Sequence, residues 1–269
     1  MIRKEITNFD IVQICRSGQC FRMEQTGPDT CCVTAGNRYL EVTQQGDTCL
    51  FFCGEEEFEH FWRQYFDLDE DYGKFKDKIS SRDHYLQAAA EFGRGIRILR
   101  QDLWEMIASF LISQQNNIVR IRRCIRNLCE TYGQRLEGEQ GNVFYGFPSP
   151  ESLGGLPEDA LKGCNLGYRS KYVVRTARDI AEGKISLDKI RRMSYHRARE
   201  ELMKLYGVGE KVADCICLFG LHQMDAFPVD THIRQAMEKH YPKGFPKTSY
   251  RGYRGVMQQY IFYYELCGK

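Results

Sequence analysis

The sequence predicts an α+β protein in which an N-terminal antiparallel β-sheet domain precedes a mostly α-helical body. Three observations predict this class. Short apolar runs separated by turn pairs fill the first part of the chain, apolar residues recur at helical spacing from about residue 85 onward, and the formal charge changes sign between the two parts. We therefore expect two domains, over residues 1–90 and residues 91–269.

The sheet domain is predicted from short segments rich in β-branched and aromatic residues. Three strands are expected over residues 30–35, 38–44 and 47–53. The pairs Gly36-Asn37 and Gly46-Asp47 separate them and favour tight turns, so an antiparallel meander follows, with further strands expected within residues 11–25. Residues 55–66 then carry one helical apolar stripe with three acids at its start, which suits the helix dipole.

The helical body begins with a helix predicted over residues 102–113, where Asp102 and Glu105 form a start like a capping box. The helix predicted over residues 117–132 keeps its apolar residues on one face. A loop rich in Gly and Pro is predicted over residues 133–157. Further helices are predicted over residues 157–163, 170–182, 194–206, 210–220, 231–240 and 249–265.

Composition and charge restrict the class of protein further. The chain has 269 residues, of which 42% are hydrophobic and 28% charged, and no apolar run approaches the roughly 18 residues of a membrane span. The first residues also lack the apolar core of a signal peptide, so we expect a soluble, non-exported protein. Many of the twelve cysteines stand beside apolar residues, which indicates small hydrophobes in a reducing compartment rather than a disulfide scaffold.

The net charge of +2 hides two oppositely charged parts. Residues 1–90 carry −6 and residues 91–269 carry +8. The whole-chain value argues against a nucleic-acid partner, whereas the charge of the second part is compatible with phosphate binding.

The most informative stretch is residues 202–222, where one helix ends, Gly207-Val208-Gly209 makes a tight turn and a second helix begins at Glu210. Glycines let backbone N–H groups approach a phosphate, and the new helix adds unsatisfied N–H donors and a positive dipole end. A phosphate clamp and an ordinary helix–helix connection both fit this pattern.

Lys211 and Asp230 are the candidate reactive side chains. Lys211 lies on the first turn of the second helix among apolar neighbours, a setting that favours the neutral, nucleophilic amine, although this position taken alone fits a solvated lysine better. Asp230 follows Pro228-Val229 and is predicted to cap the next helix. A capping carboxylate that faces a cleft can also orient an amine or stabilise a developing positive charge.

Five ordered motifs carry a resemblance to a known family. They are Ser17 to Arg22, Ser113 to Ile118 with Arg120, Leu166 to Val173, the hairpin over residues 205–220, and Pro228 to His232. Together they resemble the helix–hairpin–helix, Gly/Pro-Asp superfamily of DNA glycosylases, and more narrowly the 8-oxoguanine DNA glycosylases of the animal and fungal type. The resemblance implies a sheet domain like half of the TATA-binding protein, two helical subdomains, and a helix–hairpin–helix over residues 199–220.

The resemblance also implies an activity in base excision repair. Such enzymes turn the damaged nucleotide out of the duplex. Lys211 would attack the sugar C1′, displace 8-oxoguanine or a ring-opened purine, and form a Schiff base through which β-elimination cuts the strand. Asp230 would promote the attack and stabilise the oxocarbenium-like sugar.

Further roles follow by resemblance. The Gly18 carbonyl would accept a hydrogen bond from the N7–H of the lesion, Cys215 and Phe262 would sandwich the base, Gln258 would meet its Watson–Crick edge, and Phe219 would line the pocket. Arg120 and Arg169 would contact the partner cytosine, Tyr168 would wedge into the stack, and Gln115 would fill the vacated space. Gly207, Gly209 and His232 would contact phosphates. The chain departs from the animal pattern at Gln115-Asn116-Asn117, where three asparagines are familiar, and at Phe219, where methionine is.

The expected partner is double-stranded DNA that contains 8-oxoguanine. We expect the protein to bind it as a monomer, without membrane association and without a cofactor or metal ion. An iron–sulfur loop is not expected, because only Cys267 follows Cys217. The expected location is the cytoplasm with the nucleoid in a prokaryote, or the nucleus in a eukaryote. Two alternatives stay open: a glycosylase for another oxidised base, and a non-catalytic helix–hairpin–helix DNA-binding protein.

Overall fold

A computed structural model describes residues 1–138 and 141–268 of the chain. Its residues form two compact units. The first unit comprises residues 1–32, 40–100 and 222–269, and the second comprises residues 33–39 and 101–221. Within the described residues, no helix is long and apolar enough to cross a lipid bilayer.

A five-stranded antiparallel sheet confirms the predicted meander and extends it. Its spatial order is β1-β5-β4-β3-β2, with β1 Ile2–Glu5, β2 Met23–Gln25, β3 Thr30–Ala35, β4 Arg38–Gln45 and β5 Thr48–Phe51. Gly36 and Gly46 adopt φ +56° and φ +60° in the two turns, the left-handed region that glycine occupies without strain. Alternate residues of β3 are buried, as expected for a sheet with one face on a core. β1 was not predicted, because three of its four residues are charged.

Fourteen α-helices lie in the described residues. They are α1 Ile11–Arg16, α2 Glu55–Glu57, α3 Arg63–Tyr65, α4 Gly73–Asp77, α5 His84–Phe92, α6 Leu103–Ser113, α7 Ile118–Tyr132, α8 Pro150–Gly154, α9 Ser170–Ala181, α10 Leu187–Arg191, α11 Tyr195–Leu202, α12 Glu210–Phe219, α13 Thr231–His240 and α14 Arg254–Cys267. A π-helix over Phe58–Trp62 joins α2 to α3, and 3₁₀ helices cover Ala160–Cys164 and Gly167–Arg169.

The first unit buries an aromatic core against its sheet. The helical stripe predicted over residues 55–66 forms as α2, the π-helix and α3, and it buries Phe58, Trp62 and Phe66 completely. The Phe51 ring of β5 lies 4.9 Å from that of Phe58 and 6.0 Å from that of Phe66, measured between centroids. Part of the region expected to hold strands is instead α1, because Asp10 accepts hydrogen bonds from two N–H groups of its first turn.

The first unit also contains a buried charged network around Asp67. His222 Nε2 lies 3.2 Å from Asp67 Oδ2, Arg100 pairs with Oδ1 at 2.8 Å, and Tyr72 Oη donates to Oδ2 at 2.9 Å. Burial alone would raise the pKa of Asp67, but the hydrogen bond and charge of His222, with those of Arg100, outweigh it and lower the pKa to about 2.

The network predicts an acid-dependent stability. Asp67→Asn should lower the free energy of unfolding at pH 7 by about 2 kcal/mol, because the depressed pKa favours the charged folded form. Asparagine tolerates the left-handed φ of +51° at this position, so the substitution adds no backbone strain. The stabilisation is complete above the ordinary pKa near 3.8 and is lost as the pH falls towards 2. Urea unfolding at pH 7 and pH 2.5 tests this, and an equal deficit of the variant at both pH values would contradict it.

In the second unit, α6 is almost wholly buried, and it begins as predicted: Asp102 accepts a hydrogen bond from the Glu105 N–H at 2.9 Å. The loop predicted over residues 133–157 holds α8 and a two-stranded sheet, β6 Arg135–Glu137 and β7 Val143–Tyr145. These strands are three residues long, too short for a periodic signal. Residues 139 and 140 of that loop lie outside the described residues.

The compact units differ from a division at residue 90, because the C-terminal segment belongs with the N-terminal one. Helix α14 packs on α5, where Tyr85 Oη donates to Glu265 at 2.8 Å and the Phe92 and Tyr263 rings lie 5.2 Å apart. The formal charge is −2 for the first unit and +4 for the second. The two units therefore still carry opposite charges, but the difference is smaller than that between residues 1–90 and residues 91–269.

The cysteines behave as predicted for small hydrophobes. Ten of the twelve are buried, and Cys267 is the exposed one. Burial raises the pKa of the Cys49 thiol to about 12, which makes this thiol unreactive near neutral pH.

Candidate functional site

The hairpin between α11 and α12 has the geometry that its glycines predict. Gly207 adopts φ +90°, and a Cβ at this position would lie 2.8 Å from the Tyr172 ring, so only glycine fits. Gly209 caps α12 in an extended conformation without a side-chain hydrogen bond, and a Cβ there would meet open space. No side chain of the described residues caps the α12 N-terminus, and its N–H donors suit an anion.

Lys211 is the second residue of α12 and is half-buried. Its Nζ lies 5.7 Å from the centroid of the Phe110 ring, and Phe110 stacks on Phe219 at 5.6 Å with an interplanar angle of 18°. Among the described residues of the second unit, no carboxylate pairs with Lys211. Phe110 was not singled out from the sequence, because it lies within an apolar helix without a motif.

A buried carboxylate joins the two hairpin helices. Asp214 accepts hydrogen bonds from Tyr195 Oη at 2.7 Å and Arg199 Nε at 2.8 Å, and Arg199 also pairs with Glu210 at 3.1 Å. Burial raises the pKa of Asp214, against the lowering effect of Tyr195 and Arg199. These contacts fix the start of α12, and with it the position of Lys211. The sequence gives little sign of this group, whose members are 4 to 19 residues apart.

Three of the residues predicted to meet the opposite base lie together in the second unit. Arg169 is 4% exposed, and its Nε and Nη2 donate to the carbonyl oxygens of Gln114 and Gln115 at 2.7 and 2.8 Å. Tyr168 is 43% exposed, and the centroid of its ring lies 4.6 Å from Cζ of the Arg169 guanidinium. Its hydroxyl donates to Gln115 Oε1 at 3.3 Å. The Arg169 guanidinium therefore shapes this loop, and a base edge would have to use its remaining N–H groups.

Arg120 is exposed on the first turn of α7, and its backbone N–H donates to Oδ1 of the N-cap Asn117 at 2.9 Å. Asn117 thus has a structural role that its motif did not indicate. Gln114, which belongs to the motif Ser113 to Ile118 but was given no role from the sequence, donates from Nε2 to the Gly207 carbonyl at 3.0 Å. This hydrogen bond couples the loop at residues 114–117 to the hairpin.

In the first unit, Gly18 adopts φ +73° between two buried polar residues, Ser17 and Gln19. The Gln19 amide donates to Ser17 Oγ at 2.9 Å and to the Arg97 carbonyl at 2.8 Å, and it accepts from the Leu99 N–H at 2.9 Å. Gly18 is therefore held in a fixed conformation by the side chain of its neighbour.

Asp230 caps α13 as predicted, since its Oδ1 accepts from the Ile233 N–H at 2.8 Å. Gln258 is buried and donates to the Pro228 carbonyl at 3.2 Å, which ties α14 to the Pro-Val-Asp turn. Half-buried His232 meets the Phe262 ring edge-on at 5.9 Å, so His232 packs on a predicted pocket residue.

The predicted site residues divide between the two units. Lys211 lies in the second unit with the opposite-base residues, and Asp230 lies in the first. The second unit also holds Gly207, Gly209, Cys215 and Phe219, and the first also holds Gly18, His232, Gln258 and Phe262. Cys215 and Phe219 are buried on α12. The pairing of Lys211 with Asp230 stays a prediction.

Comparison with known proteins gives two family matches that together span residues 1–248. Residues 1–107 match the 8-oxoguanine DNA glycosylase N-terminal domain, and residues 108–248 match the HhH-GPD superfamily base excision DNA repair protein. The chain is 35% identical over 221 residues to an N-glycosylase/DNA lyase of Saccharomyces cerevisiae, a match that covers 76% of this chain and 56% of the yeast protein. It spans less than two thirds of the length of the curated relatives it matches first.

Solved structures of the 8-oxoguanine glycosylase/lyase of Clostridium acetobutylicum are similar over almost the whole chain. The apo form superimposes with a TM-score of 0.91 at 38% identity, covering 97% of this chain and 94% of that one. The complex with double-stranded DNA that contains cytosine opposite 8-oxoguanine gives a TM-score of 0.89 at 38% identity, covering 96% and 92%.

Proposed function

The chain belongs to the HhH-GPD superfamily of base excision DNA repair proteins, in its 8-oxoguanine DNA glycosylase family, and from this premise we propose that it removes 8-oxoguanine from DNA and cuts the strand. The observation that carries the proposal is the setting of Lys211. Its amine lies at the start of α12, against Phe110, directly after a glycine hairpin suited to a phosphate.

The proposed reaction begins with a flipped nucleotide. The lone pair of neutral Lys211 Nζ attacks C1′, the bond from C1′ to N9 breaks, and the base departs with the electron pair and takes up a proton. Loss of a proton from nitrogen and opening of the sugar give a Schiff base between Nζ and C1′. Removal of a C2′ proton then expels the 3′ phosphate, which cuts the strand by β-elimination.

Asp230 is the proposed partner in this chemistry. Its Oδ1 caps α13, while Oδ2 has no hydrogen bond among the described residues of its unit. A carboxylate held in this way stabilises the positive charge that develops on the sugar as the base departs. The backbone N–H groups at Gly207 and Gly209 would hold a phosphate of the same strand.

Lesion recognition is proposed to rest on the Gly18 carbonyl, which would accept from the N7–H that guanine lacks. The hydrogen bonds of Gln19 support this role, because they hold the loop rigid before DNA binds. An unpaired buried acceptor costs about 1–3 kcal/mol, so this contact discriminates by roughly 5- to 150-fold. Gln258, Cys215, Phe219 and Phe262 would complete the base pocket, and His232 would contact a phosphate beside it.

Arg120 and Arg169 are proposed to select cytosine opposite the lesion, with Tyr168 wedged into the stack and Gln115 filling the gap. Base release should be fastest opposite cytosine, and Arg120→Gln should reduce the preference for cytosine over adenine by about tenfold, since one arginine–base contact is worth about 1–3 kcal/mol. Single-turnover rates with each opposite base measure this.

Arg123→Gln is the matched control, because Arg123 is also exposed on α7, one turn further along. It should change the rates by the same factor opposite all four bases. Equal parent rates opposite the four bases would contradict the roles of Arg120 and Arg169.

The protein is proposed to act as a monomer on double-stranded DNA, in the nucleoid of a prokaryote or the nucleus of a eukaryote. A nicking assay on duplexes with one 8-oxoguanine tests the function. We expect strand cleavage that leaves a β-elimination end. Intact strands with 8-oxoguanine but cleavage at an oxidised pyrimidine would favour the other oxidised-base glycosylases, and binding without cleavage of either would favour a non-catalytic module.

A further inference from the structure

Three tyrosines form a ladder on the second unit beside the hairpin. The ring centroids of Tyr168 and Tyr172 lie 5.7 Å apart, those of Tyr172 and Tyr206 lie 5.3 Å apart, and both pairs meet edge to face. Tyr168 is 43% exposed and Tyr206 is 40% exposed at the two ends, while Tyr172 between them is half-buried. The ladder therefore presents two aromatic side chains to solvent, at a site where neither belongs to a core.

Cations line the Tyr206 end of this ladder. The guanidinium of Arg175 lies 4.4 Å from the centroid of the Tyr206 ring, and Glu158 holds it from the side through hydrogen bonds of 2.6 and 2.9 Å. Lys171 Nζ lies 5.9 Å from the same ring, and Lys171 has no ion pair among the described residues. Arg175 is thus neutralised and fixes the ring, whereas Lys171 leaves a positive charge beside it.

The ladder is continuous with the hairpin and with the predicted wedge. Tyr206 directly precedes Gly207, whose Cα approaches the Tyr172 ring so closely that a Cβ would clash at 2.8 Å. At the other end, Tyr168 directs its hydroxyl to Gln115. Any DNA strand whose phosphate meets the hairpin N–H groups therefore passes close to Tyr206.

We propose that Tyr206 is a DNA-contacting residue that packs on the sugar and base of the strand held by the hairpin, without regard to sequence. Exposed aromatic rings beside the unpaired Lys171 ammonium fit a polyanion whose sugars and bases offer apolar faces. Tyr172 and Arg175 position the ring in advance, so little side-chain entropy is lost on binding. This inference rests on the proposed function for its partner and adds an affinity determinant outside the lesion pocket.

Binding of an undamaged duplex of about 20 base pairs tests the proposal, measured as Kd over a range of salt concentrations. Tyr206→Ala should raise Kd about tenfold, near the low end of what aromatic contacts to nucleic acids contribute, and Tyr206→Phe should stay within about twofold of the parent. Lys171→Gln should reduce the slope of log Kd against log salt by about one, since one phosphate contact is lost.

Phe92→Ala is the matched control, because Phe92 is 37% exposed in the other unit. It should leave Kd unchanged. Tyr206→Leu serves as a second variant, because leucine keeps an apolar side chain against Tyr172, and it should raise Kd about fivefold. Thermal melting checks that each variant folds. Parent-like binding by Tyr206→Ala, an equal loss in Phe92→Ala, or a parent that does not bind the duplex would overturn the proposal.

The undamaged duplex separates this inference from the proposed function. A parent that binds DNA through Tyr206 but never cuts at 8-oxoguanine would contradict the function and support the contact. A parent that cuts at 8-oxoguanine, together with a Tyr206→Ala variant of unchanged Kd, would support the function and contradict the contact.

Discussion

Lys211→Gln should abolish base release and borohydride trapping on DNA with 8-oxoguanine opposite cytosine, with a rate at least about 10⁴-fold below that of the parent. Removing the nucleophile of a covalent mechanism removes the step itself, and losses of that order are usual. The variant should fold and bind lesion DNA within about threefold of the parent, because Lys211 has no ion pair among the described residues of its unit and glutamine keeps the first two methylenes of the side chain. Single-turnover kinetics measure base release, and a gel of borohydride-treated samples measures trapping.

Lys189→Gln is the matched control, since Lys189 is an exposed lysine on α10 of the same unit. It should cut and trap at the rate of the parent. A trapped adduct that persists in Lys211→Gln would contradict the assignment of Lys211.

Asp230→Asn should slow base release by about 10²- to 10³-fold at saturating enzyme, since it removes the charge that we propose stabilises the sugar cation. Asparagine caps helices as well as aspartate does, so the hydrogen bond to the Ile233 N–H should survive and the melting temperature should change little. Asp230→Ala should lose the same activity and, in addition, about 1 kcal/mol of stability.

Asp102→Asn provides a control for the loss of a capping charge. Asp102 caps α6 through one hydrogen bond to the Glu105 N–H, as Asp230 does on α13, and its Oδ2 also pairs with Arg191 at 3.3 Å. The control should keep the rate of the parent. An Asp230→Asn enzyme within threefold of the parent would mean that Asp230 serves only as a helix cap.

The parts of the fold that follow from local chemistry could be predicted from the sequence. The strands around Gly36 and Gly46, the caps at Asp102 and Asp230, and the turn at Gly207 depend on residues close together in the chain, and each was confirmed. Lys211 and Asp230 were proposed as the reactive residues because the motifs that contain them are contiguous, and their roles stay predictions.

The features that were missed depend on distant parts of the chain. The return of α14 to α5 brings Glu265 to Tyr85 across 180 residues, and nothing local in either helix indicates it. The division into compact units follows from this return, so a boundary placed where the charge changes could not find it. The buried pair of Asp67 with His222 arises in the same way.

Side chains that support the site were also missed, because their roles are defined by what surrounds them. Phe110 is one apolar residue among ten buried ones on α6, and it becomes distinctive only where Lys211 Nζ lies over its ring. Gln114 and Gln19 act by hydrogen bonds to main-chain atoms that lie 78 to 93 residues away. Such partners are set by tertiary structure and leave no spacing pattern in the sequence.

The central claim is that Lys211 forms a Schiff base with DNA from which 8-oxoguanine has been removed. Borohydride reduction of the parent on a duplex with 8-oxoguanine opposite cytosine, followed by proteolysis and mass spectrometry of the cross-linked peptide, tests it most directly. We predict one adduct, on the peptide that contains Lys211, formed at the rate of base release. Release of 8-oxoguanine without any trapped adduct, or an adduct on a different lysine, would contradict the account.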